Sequence, residues 1–136
     1  MIKSIVKDVN FLKKKSQKCT PKDLGLATDL TDTLMAHHKE CVGMAANMIG
    51  VNKRAIIVDR GMTPVVMFNP VITVKQNPYF TEEGCLSLTG TRKTVRFQNI
   101  EVEYRDTSWN KKTMKCEGWT AEIIQHECDH LEGIII

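Results

Sequence analysis

Two rhythms of apolar and polar positions divide this chain into helical ends and a stranded middle. Between residues 20 and 39, Leu24, Ala27, Leu30, Leu34, Met35 and His38 recur at steps of three and four, predicting an amphipathic helix with Asp29, Asp32 and Lys39 outside. Thr20-Pro21-Lys22-Asp23 marks its start, with a capping hydroxyl, a proline suited to the first helical position and a carboxylate at the positive end of the dipole. Beyond Gly50 the rhythm changes. Residues 54–59, 65–69 and 71–74 are β-branched runs bounded by Gly, Pro and Asn, and they predict strands. Over 95–105, apolar Ile100, Val102 and Tyr104 alternate with Glu101, Glu103 and Arg105, and residues 108–111 read as a turn into a returning strand over 112–117. A final helix is predicted from residue 119 or 120 to 132, stopped by Gly133. Strands gathered between helices predict an α+β fold, with mostly antiparallel sheet packed around the C-terminal helix and a second helix near the N-terminus.

Composition narrows the setting. The 136 residues, 42% of them hydrophobic, suit a single domain over 1–136 with a real core. Five cysteines without scaffold spacing, and an N-terminus lacking a signal-like apolar block, predict a reducing, cytoplasmic location, and no stretch predicts a membrane span. The net charge of +3 is too mild to predict specific nucleic-acid binding. Lys13-Lys14-Lys15 could touch RNA or the ribosome transiently, although so short a run ordinarily forms solvated surface.

The strongest chemical signal lies in the final helix. Gln125-His126-Glu127-Cys128-Asp129-His130 contains H-E-x-x-H, which stacks two imidazoles one turn apart on one helix face. Glu127, about 100° round from His126, is then placed over the open coordination position. A catalytic site of this kind takes three protein ligands and keeps a fourth position for water. The metzincin pattern would place a third His where Ile136 stands, and no further helix follows in the sequence to supply a thermolysin-like Glu. The third ligand is therefore expected upstream, among Cys19, Cys41, Cys85, Cys116, His37, His38 and scattered carboxylates. His37 and His38 suit carbonyl capping at a helix end, and Cys19 and Cys116 suit small apolar filling. Cys85 stands apart because Gly84 beside it would let backbone approach a ligand closely.

Glu83-Gly84-Cys85-Leu86-Ser87 followed by Gln125-His126-Glu127-Cys128-Asp129-His130 resembles the peptide deformylase family, whose members remove the formyl group from the N-terminal methionine of new proteins. A third segment, Val42-Gly43-Met44-Ala45-Ala46-Asn47-Met48-Ile49-Gly50, resembles that family's first motif, so the likeness extends over nearly the whole chain. The resemblance implies Cys85, His126 and His130 as ligands of Fe(2+), with Zn(2+), Ni(2+) or Co(2+) able to substitute, and Glu127 as general base. It implies the backbone N–H of Leu86 as an oxyanion donor. The formylated nascent peptide would lie as an added strand between Val42-Gly43 and the Gly84 to Leu86 segment. Trp119, Ile123 and Val42 are candidates for the methionine pocket, and Arg92 occupies a position near the far end of the peptide.

The first motif departs from the family at two positions, with Cys41 for a Gly and Met48 for a Gln. By analogy that Gln amide donates to the substrate oxygen, and a thioether has no donor. Losing one such donor typically costs about 2.7 to 4 kcal/mol. Asn47 should point to the opposite face of an extended segment and offer no replacement. Two expectations follow: a working, slower deformylase, or a related protein whose activity is reduced, lost or turned to another substrate. A metallopeptidase is the more distant alternative.

Overall fold

Ala55-Ile56-Ile57-Val58 is an unbroken apolar run whose four residues are fully buried, and it lies on the strand around which the rest is arranged. A strand covered on both faces has no polar side to alternate with. The computed structural model describes residues 1–61, 63–85 and 87–134. One five-stranded antiparallel sheet runs in the order β1 (Gly43–Ala45), β2 (Ala55–Asp59), β3 (Pro64–Cys85), β4 (Leu88–Arg105), β5 (Lys111–Glu117). A single helical turn, α1 (Val9–Leu12), precedes α2 (Leu26–Ala36), and α3 (Gly118–Leu131) ends the order. Both α2 and α3 pack on β2, which accounts for its complete burial. No helix among the described residues is long and apolar enough to cross a membrane.

The first helix is shorter than its apolar rhythm predicts. Thr20 does cap, forming a reciprocal box with Asp23, but the turn it opens is a 3-10 turn over Pro21–Asp23. The α-helix starts afresh after Gly25 and stops at Ala36. That restart rotates the buried face to Leu26, Leu30, Thr33 and Leu34, leaving Met35 and His38 exposed. His38 Nδ1 lies 2.8 Å from the Met35 carbonyl, a helix-end capping contact.

The predicted strands over 65–69 and 71–74 are parts of one strand. Asn69 adopts φ +51°, a left-handed conformation Asn tolerates, and a register shift between Phe68 and Val71 absorbs Pro70 without ending β3. The Asn69 carboxamide pins the shift, accepting from the Cys19 N–H at 2.7 Å and donating to the Cys19 carbonyl at 3.0 Å.

Helix α3 is seated by Gln125. The last registered pair between β4 and β5 is Asn99 with Glu117, so Phe97 lies beyond the reach of β5. Gln125 supplies the missing partners, its Oε1 accepting from Phe97 N–H at 2.8 Å and its Nε2 donating to the Phe97 carbonyl at 2.9 Å. The helix stops as expected: Gly133 at φ +75° closes its end, with the Ile134 N–H donating to the Asp129 carbonyl.

Candidate metal centre and cleft

The two histidines of α3 stack one turn apart with their Nε2 atoms 3.2 Å from each other. Cys85, at the end of β3, closes the group: its sulfur and one nitrogen of each imidazole all lie within 4.8 Å of one another. Among the described residues these three form the one such cluster of ligating side chains. His126 Nδ1 meets Glu83 Oε1 at 2.7 Å, so the tautomer that donates this hydrogen bond turns a lone pair on Nε2 toward Cys85 and His130. Two imidazole lone pairs and a thiolate converging on one point suit a divalent transition metal.

Glu83 is itself held from behind. Arg96, 4% exposed, donates through Nε and Nη2 to the Glu83 carboxylate at 2.7 to 3.2 Å and through Nη1 to Asp129 Oδ2 at 2.7 Å. Burial works to raise the Glu83 pKa, but hydrogen bonds from His126 and Arg96 outweigh it and hold the carboxyl down at about 2. Burial likewise works to lower the His126 pKa; hydrogen bonding to Cys85 and Glu83, with the charge of Glu127, carries it up to about 10 instead. His130 goes the other way, to about 3, through burial and then the charges of His126 and Arg96. Without a cation the surroundings therefore place one proton's charge at His126 and leave His130 neutral; a bound cation would displace the Nε2 proton and leave Nδ1–H on Glu83.

Glu127 is 4% exposed, and burial raises its pKa to about 7. Its Oε1 is shielded from solvent and has no hydrogen-bond partner among the described residues. A buried, unsatisfied carboxyl beside a metal-ligating cluster is placed to exchange a proton with something bound there. The opposite wall is Gly43, where a Cβ would stand 3.0 Å from Glu127 Oε2 and 2.6 Å from Ile123 Cγ2. The missing side chain makes room for both groups.

These residues face a cleft of about 560 Å³. Val42, Gly43, Gly84, Trp119 and Ile123 all line it, with Cys85, His126 and Glu127 at its floor. His130 lies behind His126, 1% exposed. Arg92 is not among the described lining residues; it stands opposite Glu83 in the β3–β4 register, and its Nη1 is shielded and has no partner among the described residues. Leu86 lies outside the described residues.

Met48 lines the cleft and receives the Ala45 N–H on its sulfur at 3.4 Å. The segment around it is a 3-10 turn, Ala46–Ile49, where an extended course was expected. Asn47 is nevertheless turned away from the cleft, donating to the His130 carbonyl at 2.8 Å and tying the first motif to α3. Cys41 also lines the cleft, donating its thiol hydrogen to the Gly43 carbonyl at 2.7 Å, and burial followed by the charge of Glu127 pushes its pKa up to about 12.

Glu83 and Gln125 entered the sequence motifs without a role, and Arg96 entered none. One signal was available for Arg96: it shares the even-numbered face of β4 with buried Ile100, Val102 and Tyr104, and a charge on that face requires a partner.

Residues 2–136 match a model of the family described as Polypeptide deformylase. The chain is 56% identical over 136 residues to a peptide deformylase of Clostridium beijerinckii, covering all of both chains. It is 36% identical over 120 residues to a peptide deformylase of Desulfitobacterium hafniense, covering 88% of this chain and 79% of the other. Among solved structures, the peptide deformylase of Thermotoga maritima superposes with a TM-score of 0.89 at 30% identity, covering 99% of this chain and 95% of that one.

Proposed function

The chain belongs to the polypeptide deformylase family, and from that premise we propose that Cys85, His126 and His130 hold its catalytic ion while Glu127 moves the protons. It is a metal-dependent hydrolase that removes the formyl group from the N-terminal formylmethionine of nascent peptides. The observation that carries the site assignment is the convergence of a thiol and two imidazoles beneath a cleft, with the unpartnered Glu127 carboxyl beside them. A divalent cation held there supplies Lewis acidity toward the formyl carbonyl and lowers the pKa of a water. Ferrous iron is the resident ion in this reading, with zinc, nickel or cobalt able to replace it, because a mixed sulfur and imidazole set suits all four.

Glu127 accepts the proton of the attacking water and returns it to the departing α-amine, and a pKa raised to about 7 suits both transfers near neutral pH. Glu83, fixed by Arg96, keeps His126 in the tautomer that faces the ion. The substrate peptide pairs with β1, the edge strand, opposite the Gly84-Cys85 end of β3, where main-chain hydrogen bonds serve any sequence. Trp119, Ile123 and Val42 take the methionine side chain, and Arg92 serves the distal part of the peptide. Leu86, outside the described residues, is the oxyanion donor this reading assigns, and Met48 contributes no donor. In this reading the chain works as a single catalytic domain over 1–136 in the cytoplasm, with exposed Lys13, Lys14 and Lys15 making transient contact with the ribosome.

Formate release from a formyl-methionyl peptide tests this assignment, using iron-loaded protein prepared without oxygen. Wild type is expected to turn over, Glu127→Ala to lose nearly all activity, and Met48→Gln to gain activity, up to about 10² to 10³ if the restored amide is fully aligned. If wild type and Met48→Gln both matched the inactivity of Glu127→Ala, the assignment would fail.

A further inference from the structure

His130 stands in the last turn of α3, one residue before the helix stops at Leu131, where backbone hydrogen bonds open most readily. Two N–H donors hold its carbonyl. One is the Gly133 N–H at 3.1 Å, from the helix end itself; the other is Asn47 Nδ2 at 2.8 Å, from a segment 83 residues away. Asn47 and His130 are each 1% exposed. The 3-10 turn that carries Asn47 is fixed in its own right, with the Val6 N–H donating to the Met48 carbonyl at 2.8 Å and the Gly50 N–H to the Asn47 carbonyl at 3.2 Å. The Asn47 amide therefore reaches α3 from a firm base. Its other end does nothing comparable: Oδ1 is shielded from solvent and has no partner among the described residues.

Stability of the fold does not account for this side chain. Burying a carboxamide with its acceptor unsatisfied costs more than one net hydrogen bond contributes, and an apolar side chain of the same size would fill the space without that cost. The His130 carbonyl would not be left bare by such a change, since it keeps the Gly133 N–H. What only the amide supplies is a fixed point for the backbone from which the imidazole projects. We propose that Asn47 is a positioning residue for the metal centre: its amide locks the last turn of α3 so that His130 is presented to the ion together with Cys85 and His126. The proposal rests on the ligand set assigned above. The same turn carries Met48 on the cleft wall, so it places that wall and the third ligand as one unit.

The test is anaerobic titration of the full chain with Co(2+), read by the visible ligand-field bands and the thiolate-to-cobalt absorption, alongside urea unfolding in excess chelator. Wild type is compared with Asn47→Leu, Asn47→Ala and Thr33→Val. Thr33 is the control: it is fully buried on α2 and its hydroxyl accepts from the Lys3 N–H at 2.9 Å, so its loss removes one hydrogen bond without touching the centre. Asn47→Leu is expected to bind cobalt about 10 to 100-fold more weakly and with altered ligand-field bands. Its folding equilibrium in chelator should change by less than about tenfold. Asn47→Ala should weaken the ion similarly and lose more stability, through the cavity it leaves. Thr33→Val should keep the wild-type affinity and spectrum. Wild-type affinity and spectrum in either Asn47 variant, or an equal loss of affinity in Thr33→Val, would overturn the inference alone. Failure of both Asn47 variants to fold would do the same, because the amide would then serve the fold. A wild type without thiolate-to-cobalt absorption would remove the ligand set, and this inference with it.

Discussion

Replacing Gly43 by alanine adds one carbon, and the structure shows where it must go. The Cβ would stand 2.6 Å from Ile123 Cγ2, 3.0 Å from Glu127 Oε2 and 3.3 Å from Glu127 Cγ. The first distance is far inside van der Waals contact, and Ile123 is 4% exposed on a helix anchored to the sheet by Gln125, so α3 has little room to retreat. Forcing a methyl group into a packed site typically costs about 1 to 3 kcal/mol. Relief is easiest through the Glu127 side chain, and a misplacement near 1 Å in a reacting group can cost about 10² in rate. Gly43→Ala is therefore expected to lower the thermal midpoint modestly and kcat about a hundredfold. Gly25→Ala serves as the control. A Cβ there meets nothing within 4 Å, and Gly25 already has right-handed φ and ψ of −59° and −21°, so it should be neutral or stabilising. The two variants would be compared by thermal unfolding and by formate release. Wild-type kcat in a folded Gly43→Ala protein would show that Glu127 does not depend on this wall, and would refute the reasoning.

Two further outcomes follow from the buried charges. A carboxyl raised from 4.5 to about 7 by folding stabilises the folded state fully below pH 4.5, and that stability is lost as pH rises through 7. In the presence of a chelator, Glu127→Gln should thus match wild type in acid and exceed it above pH 7 by about 3 kcal/mol, at about 1.36 kcal/mol for each pH unit of the rise; urea unfolding giving a constant difference at all pH values would contradict this. Arg96→Ala leaves Glu83 and Asp129 without their shared cation, so a loss of about 3 to 5 kcal/mol and about 10 to 100-fold weaker metal binding are expected. Unchanged metal affinity in Arg96→Ala would detach the Glu83–His126 contact from the ion.

Much of the fold was legible because its signals are local. Alternation through Ile100, Val102 and Tyr104 marked the half-buried strand, and Gly133 marked the end of α3. What escaped depends on partners distant in sequence. Asn69-Pro70 looks like a strand boundary until Cys19, fifty residues away, is seen holding the Asn69 carboxamide. The helix rhythm around Leu24 and Met35 fits one face, but the 3-10 turn before Gly25 resets the phase, and no period count detects that. The H-E-x-x-H spacing identified His126, Glu127 and His130 because one helix determines their geometry. Arg96 and Glu83 stand 13 residues apart on neighbouring strands, and only the β3–β4 register brings them together. Met48 was legible as a departure from the family, and the structure adds its place on the cleft wall.

The ligand set decides whether this cleft is a metal centre, and metal stoichiometry of single-cysteine variants measures it. Purified under the same anaerobic conditions with excess ferrous iron, wild type, Cys19→Ser and Cys116→Ser are each expected to retain one ion per chain, because both cysteines pack in the core away from the cluster. Cys85→Ser is expected to retain far less and to release what it binds to a weak chelator. Equal retention by all of them, or equal loss from the three variants, would contradict the assignment of Cys85, His126 and His130 as the site of the ion.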